Sequence, residues 1–399
     1  MTAPIDDLVT GCHVVICCGT GGVGKTTVSA SLALAGARAG RDVLVVTIDP
    51  AKRLADTLGL RGLGNISHEV PRDRWDPDDR ARPGGRLSAL MLDTRSTFDA
   101  LVRRHAIDDV QAERILENRF YRNIAGALSG TQEYMAMEKL HEIHADGGFD
   151  LIVVDTPPTR HALDFLDAPD RLLRLLDNRI FRFLMLPTRT SLRVAGVAVQ
   201  AFLRTVGKAL GTEAIGDIVA FFRAFEGMED GFRARALAVA ELLADPGTAF
   251  VLVTSPRRDA VEEVEFFAER LRASEFSVSA LVVNRVHPRF DDRDGDGSTD
   301  VATLRSRASD LQALAPGSEP AVAAARTRLA ARYRILADDT DLARRERTQL
   351  AHLGLRIGAA VVAYVPSLPH DAVDFEALEQ VADHVMRGRS GEEPVRSTG

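Results

Sequence analysis

Nine residues near the start of the chain, Gly19-Thr20-Gly21-Gly22-Val23-Gly24-Lys25-Thr26-Thr27, have the composition of a phosphate cradle. Glycines let successive backbone N–H groups converge on an anion, and a helix beginning at the loop presents its positive end to it. The spacing Gly19-x4-Gly24-Lys25-Thr26 matches the Walker A pattern. In that pattern the lysine reaches the β- and γ-phosphates and the neighbouring hydroxyl coordinates Mg²⁺. The expected nucleotide contacts are therefore Gly21, Gly22, Val23, Gly24, Lys25, Thr26 and Thr27, with Thr26 also on the metal. Two carboxylates suit such a site. Asp49 ends an apolar run and could orient the water that attacks the γ-phosphate, with Lys25 as the other catalytic group. The plainer use of Asp49-Pro50 is a loop-opening turn. Asp155 closes the run Leu151-Ile-Val-Val154 in the Walker B arrangement, where it would hold a water on Mg²⁺. Thr156-Pro-Pro-Thr-Arg-His161 then forms a rigid loop able to sense the γ-phosphate.

These groups need a scaffold that brings distant segments to one edge. Short apolar runs at His13–Cys18, Asp42–Ile48, Ser88–Leu92, Asp150–Asp155, Phe250–Thr254, Ala280–Asn284 and Ala359–Val365 read as buried strands. Thr27–Ala39, rich in Ala, Leu and Ser, reads as a closely packed helix, which makes the first two strands a βαβ unit. The expected fold is α/β: a doubly wound, mainly parallel sheet of P-loop NTPase type with an inserted helical subdomain. One domain is expected over 10–390, with the helical insertion at about 168–245 and a second, variable helical insertion at about 287–353. Residues 65–85 read as a polar surface loop and 391–399 as a disordered tail. There is no internal duplication.

Composition narrows the partners. A net charge of −7 leaves no electrostatic footprint for nucleic acid. The three cysteines, Cys12, Cys17 and Cys18, cluster at one strand without a Cys-x-x-Cys pair, so neither a disulfide framework nor zinc is expected. The acidic start is unlike a signal peptide, and no apolar stretch reaches the roughly 18–20 residues of a membrane span. A cytoplasmic setting follows as the expectation. Asp292-Arg-Asp294-Gly-Asp296-Gly297 imitates the start of a Ca²⁺ loop, but Thr303 replaces the bidentate acid, so Ca²⁺ is not expected.

Thr20–Thr27, Asp49-Pro-Ala-Lys-Arg-Leu-Ala-Asp56 and Asp155-Thr-Pro-Pro-Thr-Arg-His-Ala-Leu-Asp-Phe-Leu166 together resemble the ArsA-type ATPases. That family includes the arsenite-pump ATPase and the ATPase that targets tail-anchored membrane proteins, and is related to MinD and ParA. Gly130-Thr-Gln-Glu133, Asn284 and Val365-Pro366-Ser-Leu-Pro369 extend the likeness. The resemblance implies that Asp49 is the switch I catalytic residue, that Asp155 heads switch II, and that Asn284 with the Pro366 loop holds adenine. It implies Mg²⁺ with ATP, and a dimer. The chain departs from the family at four points. Thr20 stands where the family carries its signature lysine, which reaches across the dimer, so a heterodimer with an ArsA-type paralogue is as attractive as a homodimer. The zinc clasp and the arsenite-binding cysteines are absent. Pro256-Arg257-Arg258 replaces a Pro-Glu, and Arg257 either supplies part of the missing charge or forms a solvated charge pair.

Apolar clusters at Ile180–Leu186 and Phe221–Phe225 either line a groove for a hydrophobic client or membrane-protein partner, or form the core of the helical subdomain. Two functions stay open. One is an ATP-hydrolysing switch that moves the helical subdomain. The other is a low-turnover, nucleotide-dependent binding or regulatory subunit, acting as client holdase or as partner of a catalytic paralogue. A MinD- or ParA-like positioning role is weakened by the lack of an amphipathic membrane helix at the C-terminus and of a basic face.

Overall fold

Valine, isoleucine and leucine fill both faces of the central strands, so the sheet they build must be covered on both sides. The computed structural model describes residues 5–48, 53–60, 63–119, 121, 131–157, 166–177, 212–288, 300–316, 319–369 and 374–390. Its nine strands are β1 (Val14–Gly19), β2 (Asp42–Thr47), β3 (His68–Glu69), β4 (Arg86–Met91), β5 (Leu151–Asp155), β6 (Thr248–Thr254), β7 (Val278–Val286), β8 (Val361–Pro366) and β9 (Arg389–Ser390). They form one sheet in the order β3-β4-β2-β5-β1-β6-β7-β8-β9. Every pairing is parallel except those of the two-residue edge strands, β3 on β4 and β9 on β8. The seven expected strands are thus the parallel core of the sheet, with β1 at its centre between β5 and β6.

Alternation along β1 divides the molecule into two cores. Val15 and Cys17 face the helix Lys25–Arg38 and its neighbours. Val14, Ile16 and Cys18 face the other side, with Met137, Leu140, Val264 and Phe267 from the helices Thr131–Ala145 and Arg258–Ala273. Helix Lys25–Arg38 is buried almost all round because its residues are small. Its Gly36 lies so close to β5 that a Cβ there would stand 2.9 Å from Leu151 Cδ2. Across the helix, Ser31 Oγ donates to Leu378 O of the helix Phe375–Met386 at 3.1 Å.

A third core lies within the helices that interrupt the sheet. Tyr121, Tyr134, Phe221, Phe225 and Phe232 pack there with Leu101 and Val102. Phe221 and Phe225 are 8% and 5% exposed, so these two aromatics are core and do not line an open groove in this structure. The Ile180–Leu186 cluster lies outside the described residues. The second insertion contains a helical hairpin, Val301–Ala313 against the 31-residue helix Pro320–Leu350. The calcium-like segment 292–297 and the tail 391–399 also lie outside the described residues.

Residues 65–85 hold more structure than their polar composition suggests. Besides β3 they contain the short helix Arg72–Trp75, and Trp75 is 1% exposed with its indole N–H donating to Val70 O at 3.3 Å. Asp76 caps the following turn, accepting from the backbone N–H of Arg80 at 2.8 Å. The buried indole of Trp75 and the buried, hydrogen-bonded carboxylate of Asp76 anchor a segment whose other charges are mostly exposed.

Candidate functional site

In a doubly wound sheet, side chains at the carboxyl ends of adjacent strands share one edge. The register puts Cys17 of β1 opposite Asp155 of β5, and Thr47 of β2 opposite the same Asp155. The chain leaves β1 at Gly19, where a Cβ would sit 2.2 Å from Val253 O of β6, so only glycine lets these strands close up. Five residues later Gly24 takes φ +92° and begins the helix Lys25–Arg38 with no side-chain cap. The first N–H groups of that helix have no intrahelical acceptors, which is the arrangement that receives an anion.

Lys25 is 6% exposed and curls back over the loop, its Nζ donating to Thr20 O at 2.9 Å. Thr26 Oγ1 donates to Asp155 Oδ2 at 2.7 Å, and Thr47 Oγ1 to the same oxygen at 3.1 Å. Asp155 is 1% exposed. One hydroxyl and one carboxylate, both hard oxygen donors, beside an uncapped helix N-terminus fit Mg²⁺, which takes few protein ligands and keeps several waters. The loop amides of Gly21 to Thr27 fit phosphate. Thr156 Oγ1 donates to Cys17 O at 2.7 Å and ties the start of the following loop to β1.

Ile48 N–H donates to Asp155 O at 3.1 Å, so β2 runs out at the same edge. Asp49, the next residue, lies outside the described residues, as do Gly130 and residues 158–165 of the sensing loop. Asn284 lies two residues before the end of β7, and Pro366 ends the neighbouring strand β8 opposite Val286. Asn284 Nδ2 donates to Val23 O at 2.8 Å, and a Cβ on Gly24 would stand 2.2 Å from it. The side chain expected to hold adenine is therefore also part of the loop's support.

Two contributors were not read from the sequence. Thr47 is a hydroxyl inside an apolar run, and that contrast is the mark it leaves on the sequence. Arg285 donates through Nη1 to Gly22 O at 3.0 Å from a backbone with φ +60°, which no residue pattern announces. Arg257 is 75% exposed and pairs with Asp259 at 2.5 Å, the geometry of a surface charge pair. It lines a cavity of about 320 Å³ with Thr20, Gly22, Ser255 and Arg285. Among the described residues no cluster of three or more His, Cys, Asp or Glu could hold a metal by itself. Burial pushes the Cys18 thiol up to about 12 and Cys17 higher still, so both are neutral core groups.

Comparison with known proteins bears on this arrangement. The family model for anion-transporting ATPases matches residues 12–309. An uncharacterized protein of Streptomyces coelicolor is 32% identical over 273 residues, 68% of this chain and 61% of the relative. ATPase GET3 of Phaeosphaeria nodorum is 25% identical over 271 residues, covering 67% of this chain and 74% of that protein. ATPase get3 of Schizosaccharomyces pombe is 30% identical over 159 residues, 40% and 44% of the two chains. The match to the Streptomyces and Schizosaccharomyces proteins spans less than two thirds of their length.

Proposed function

The chain belongs to the ArsA-type anion-transporting ATPase family, and from that premise we propose that it binds Mg·ATP on the Gly19–Thr27 loop and hydrolyses it as a switch. The observation that carries this reading is the 2.7 Å bond between Thr26 and the buried Asp155, two residues 129 apart in sequence, beside the uncapped helix and Lys25. Gly21 to Thr27 donate backbone and side-chain groups to the phosphates. Lys25 exchanges Thr20 O for a phosphate oxygen, and Thr26 and Asp155 hold the metal, the carboxylate through a water. Held there, Mg²⁺ would supply positive charge against the negative charge that develops on phosphoryl transfer. Asp49 orients the attacking water. Asn284 and the Pro366 loop bound the adenine, and the segment after Asp155 transmits the γ-phosphate's presence to the helical insertion.

The working unit in this reading is a homodimer, or a heterodimer with a paralogue that carries the lysine missing at Thr20. A hydrophobic client or membrane-protein partner is the corresponding cargo. A second reading, a binding or regulatory subunit with little turnover, is favoured by one observation: Thr20 presents no cation to a partner subunit. Steady-state phosphate release, alone and with a lysine-bearing paralogue, separates the two. Native mass with a non-hydrolysable ATP analogue tests the assembly, and a monomer under saturating analogue contradicts it.

Two substitutions probe the periphery of the site. Asp155→Asn keeps an acceptor for Thr26 but removes the charge, and should raise the Mg²⁺ concentration needed for half-maximal nucleotide binding by about 10–100-fold. An unchanged Mg²⁺ requirement would remove Asp155 from the metal's surroundings. Arg257→Ala should leave the rate within about threefold of the unaltered chain, since an exposed pair is worth about 0–1 kcal/mol. A tenfold fall would mean that Arg257 reaches nucleotide.

A further inference from the structure

Three carbonyl oxygens of the phosphate loop are held by three different side chains. Lys25 Nζ donates to Thr20 O at 2.9 Å, Arg285 Nη1 to Gly22 O at 3.0 Å, and Asn284 Nδ2 to Val23 O at 2.8 Å. Among the described residues every peptide bond is trans. A planar trans peptide points its N–H opposite to its C=O. Holding Gly22 O toward the end of β7 therefore aims the N–H of Val23 away from β7. Holding Val23 O does the same for the N–H of Gly24. These are two of the donors a phosphate cradle requires.

The backbone at Arg285 is built for this contact. The pairing of β7 with β8 slips between Asn284 and Val286, a bulge that takes Arg285 out of the strand's alternation. Arg285 sits at φ +60°, a conformation that costs a side-chain-bearing residue stability. Asn284 Oδ1 accepts from the Arg285 N–H at 2.9 Å and secures the turn. A merely solvated arginine needs neither bulge nor left-handed backbone.

We propose that Arg285, with Asn284, is a positioning residue that presets the Val23 and Gly24 amides for the nucleotide's phosphates. This rests on the reading that the Gly19–Thr27 loop binds Mg·ATP. Arg285 acts through the loop backbone and does not itself need to touch the nucleotide. Its contribution belongs to binding, because a preset cradle pays no ordering cost when phosphate arrives.

The test is calorimetric titration of the full chain with a non-hydrolysable ATP analogue and Mg²⁺, for the unaltered protein, Arg285→Gly, Arg285→Lys and Lys25→Met. Glycine adopts φ +60° freely, so Arg285→Gly removes the guanidinium and relieves the backbone at once. The expected result is about tenfold weaker binding for Arg285→Gly, the loss of one charge-assisted hydrogen bond. Its melting temperature without nucleotide should be unchanged or higher, and Arg285→Lys should recover part of the affinity. Unaltered affinity in Arg285→Gly, while Lys25→Met loses binding, overturns the proposal. So does weaker binding accompanied by a lower melting temperature and no recovery with lysine. If the unaltered chain itself does not bind the analogue, the functional reading falls first and the brace falls with it.

Discussion

Replacing Lys25 by Met is expected to lower kcat/KM for ATP by about 100–1000-fold, the scale seen when one preorganised donor to developing charge is removed. Methionine is close to the aliphatic stem of lysine in volume and tolerates a buried setting, so the loop's packing should survive. What disappears is the cation. Lys25 is 6% exposed, and its ammonium spans the loop to Thr20 O at 2.9 Å, over the uncapped start of the helix it belongs to. A buried positive charge held by a carbonyl has a stronger partner waiting in an anion. Phosphate release at several ATP concentrations measures the effect, with a melting curve to confirm the fold. A fall of less than about tenfold would mean that Lys25 does not meet the phosphates.

Asp49→Asn should separate binding from chemistry. The nucleotide affinity of this variant is expected to stay within about threefold, while turnover falls by about 100-fold or more, in line with the loss of a positioned acid–base group. Its place in the chain supports the expectation. Strand β2 runs parallel to β5 and ends with Ile48 N–H on Asp155 O at 3.1 Å, so in sequence the carboxylate follows directly on a strand that finishes beside Asp155. Asparagine can still accept a hydrogen bond but cannot take up a proton. If the chain is instead a low-turnover binding subunit, the substitution leaves its small rate where it was. Single-turnover and steady-state assays on both proteins distinguish the outcomes.

The sheet was legible because its strands are apolar on both faces and short, and because Gly-rich or polar segments separate them. Where the pattern faded, so did the reading. Thr248 and Ser279 hid the first residues of β6 and β7. The two-residue strands β3 and β9 are too short to show any period, and their pairing comes from the edges they meet. Trp75 is hidden in the sequence by its charged neighbours, although its buried indole and the capping Asp76 together order that turn. Phe221 and Phe225 could not be assigned to core or groove from spacing, since both uses demand the same helical period.

The site divides in the same way. Gly19 to Thr27 and Asp155 declare themselves through residue type, spacing and position at strand ends. Their meeting depends on register, with Cys17 opposite Asp155, which follows once β1 and β5 are neighbours. Asn284 was found by resemblance and assigned to adenine, yet its amide also bonds Val23 O, a contact that depends on how β7 ends. Arg285 was invisible because its role comes from a bulge and a left-handed backbone, and neither leaves a mark on residue type.

The most direct measurement is calorimetric titration of the unaltered full chain with a non-hydrolysable ATP analogue, with and without Mg²⁺. Saturable binding of one nucleotide per chain that tightens when Mg²⁺ is added is the predicted result. Absence of saturable binding, or binding indifferent to Mg²⁺, would contradict the account at its centre.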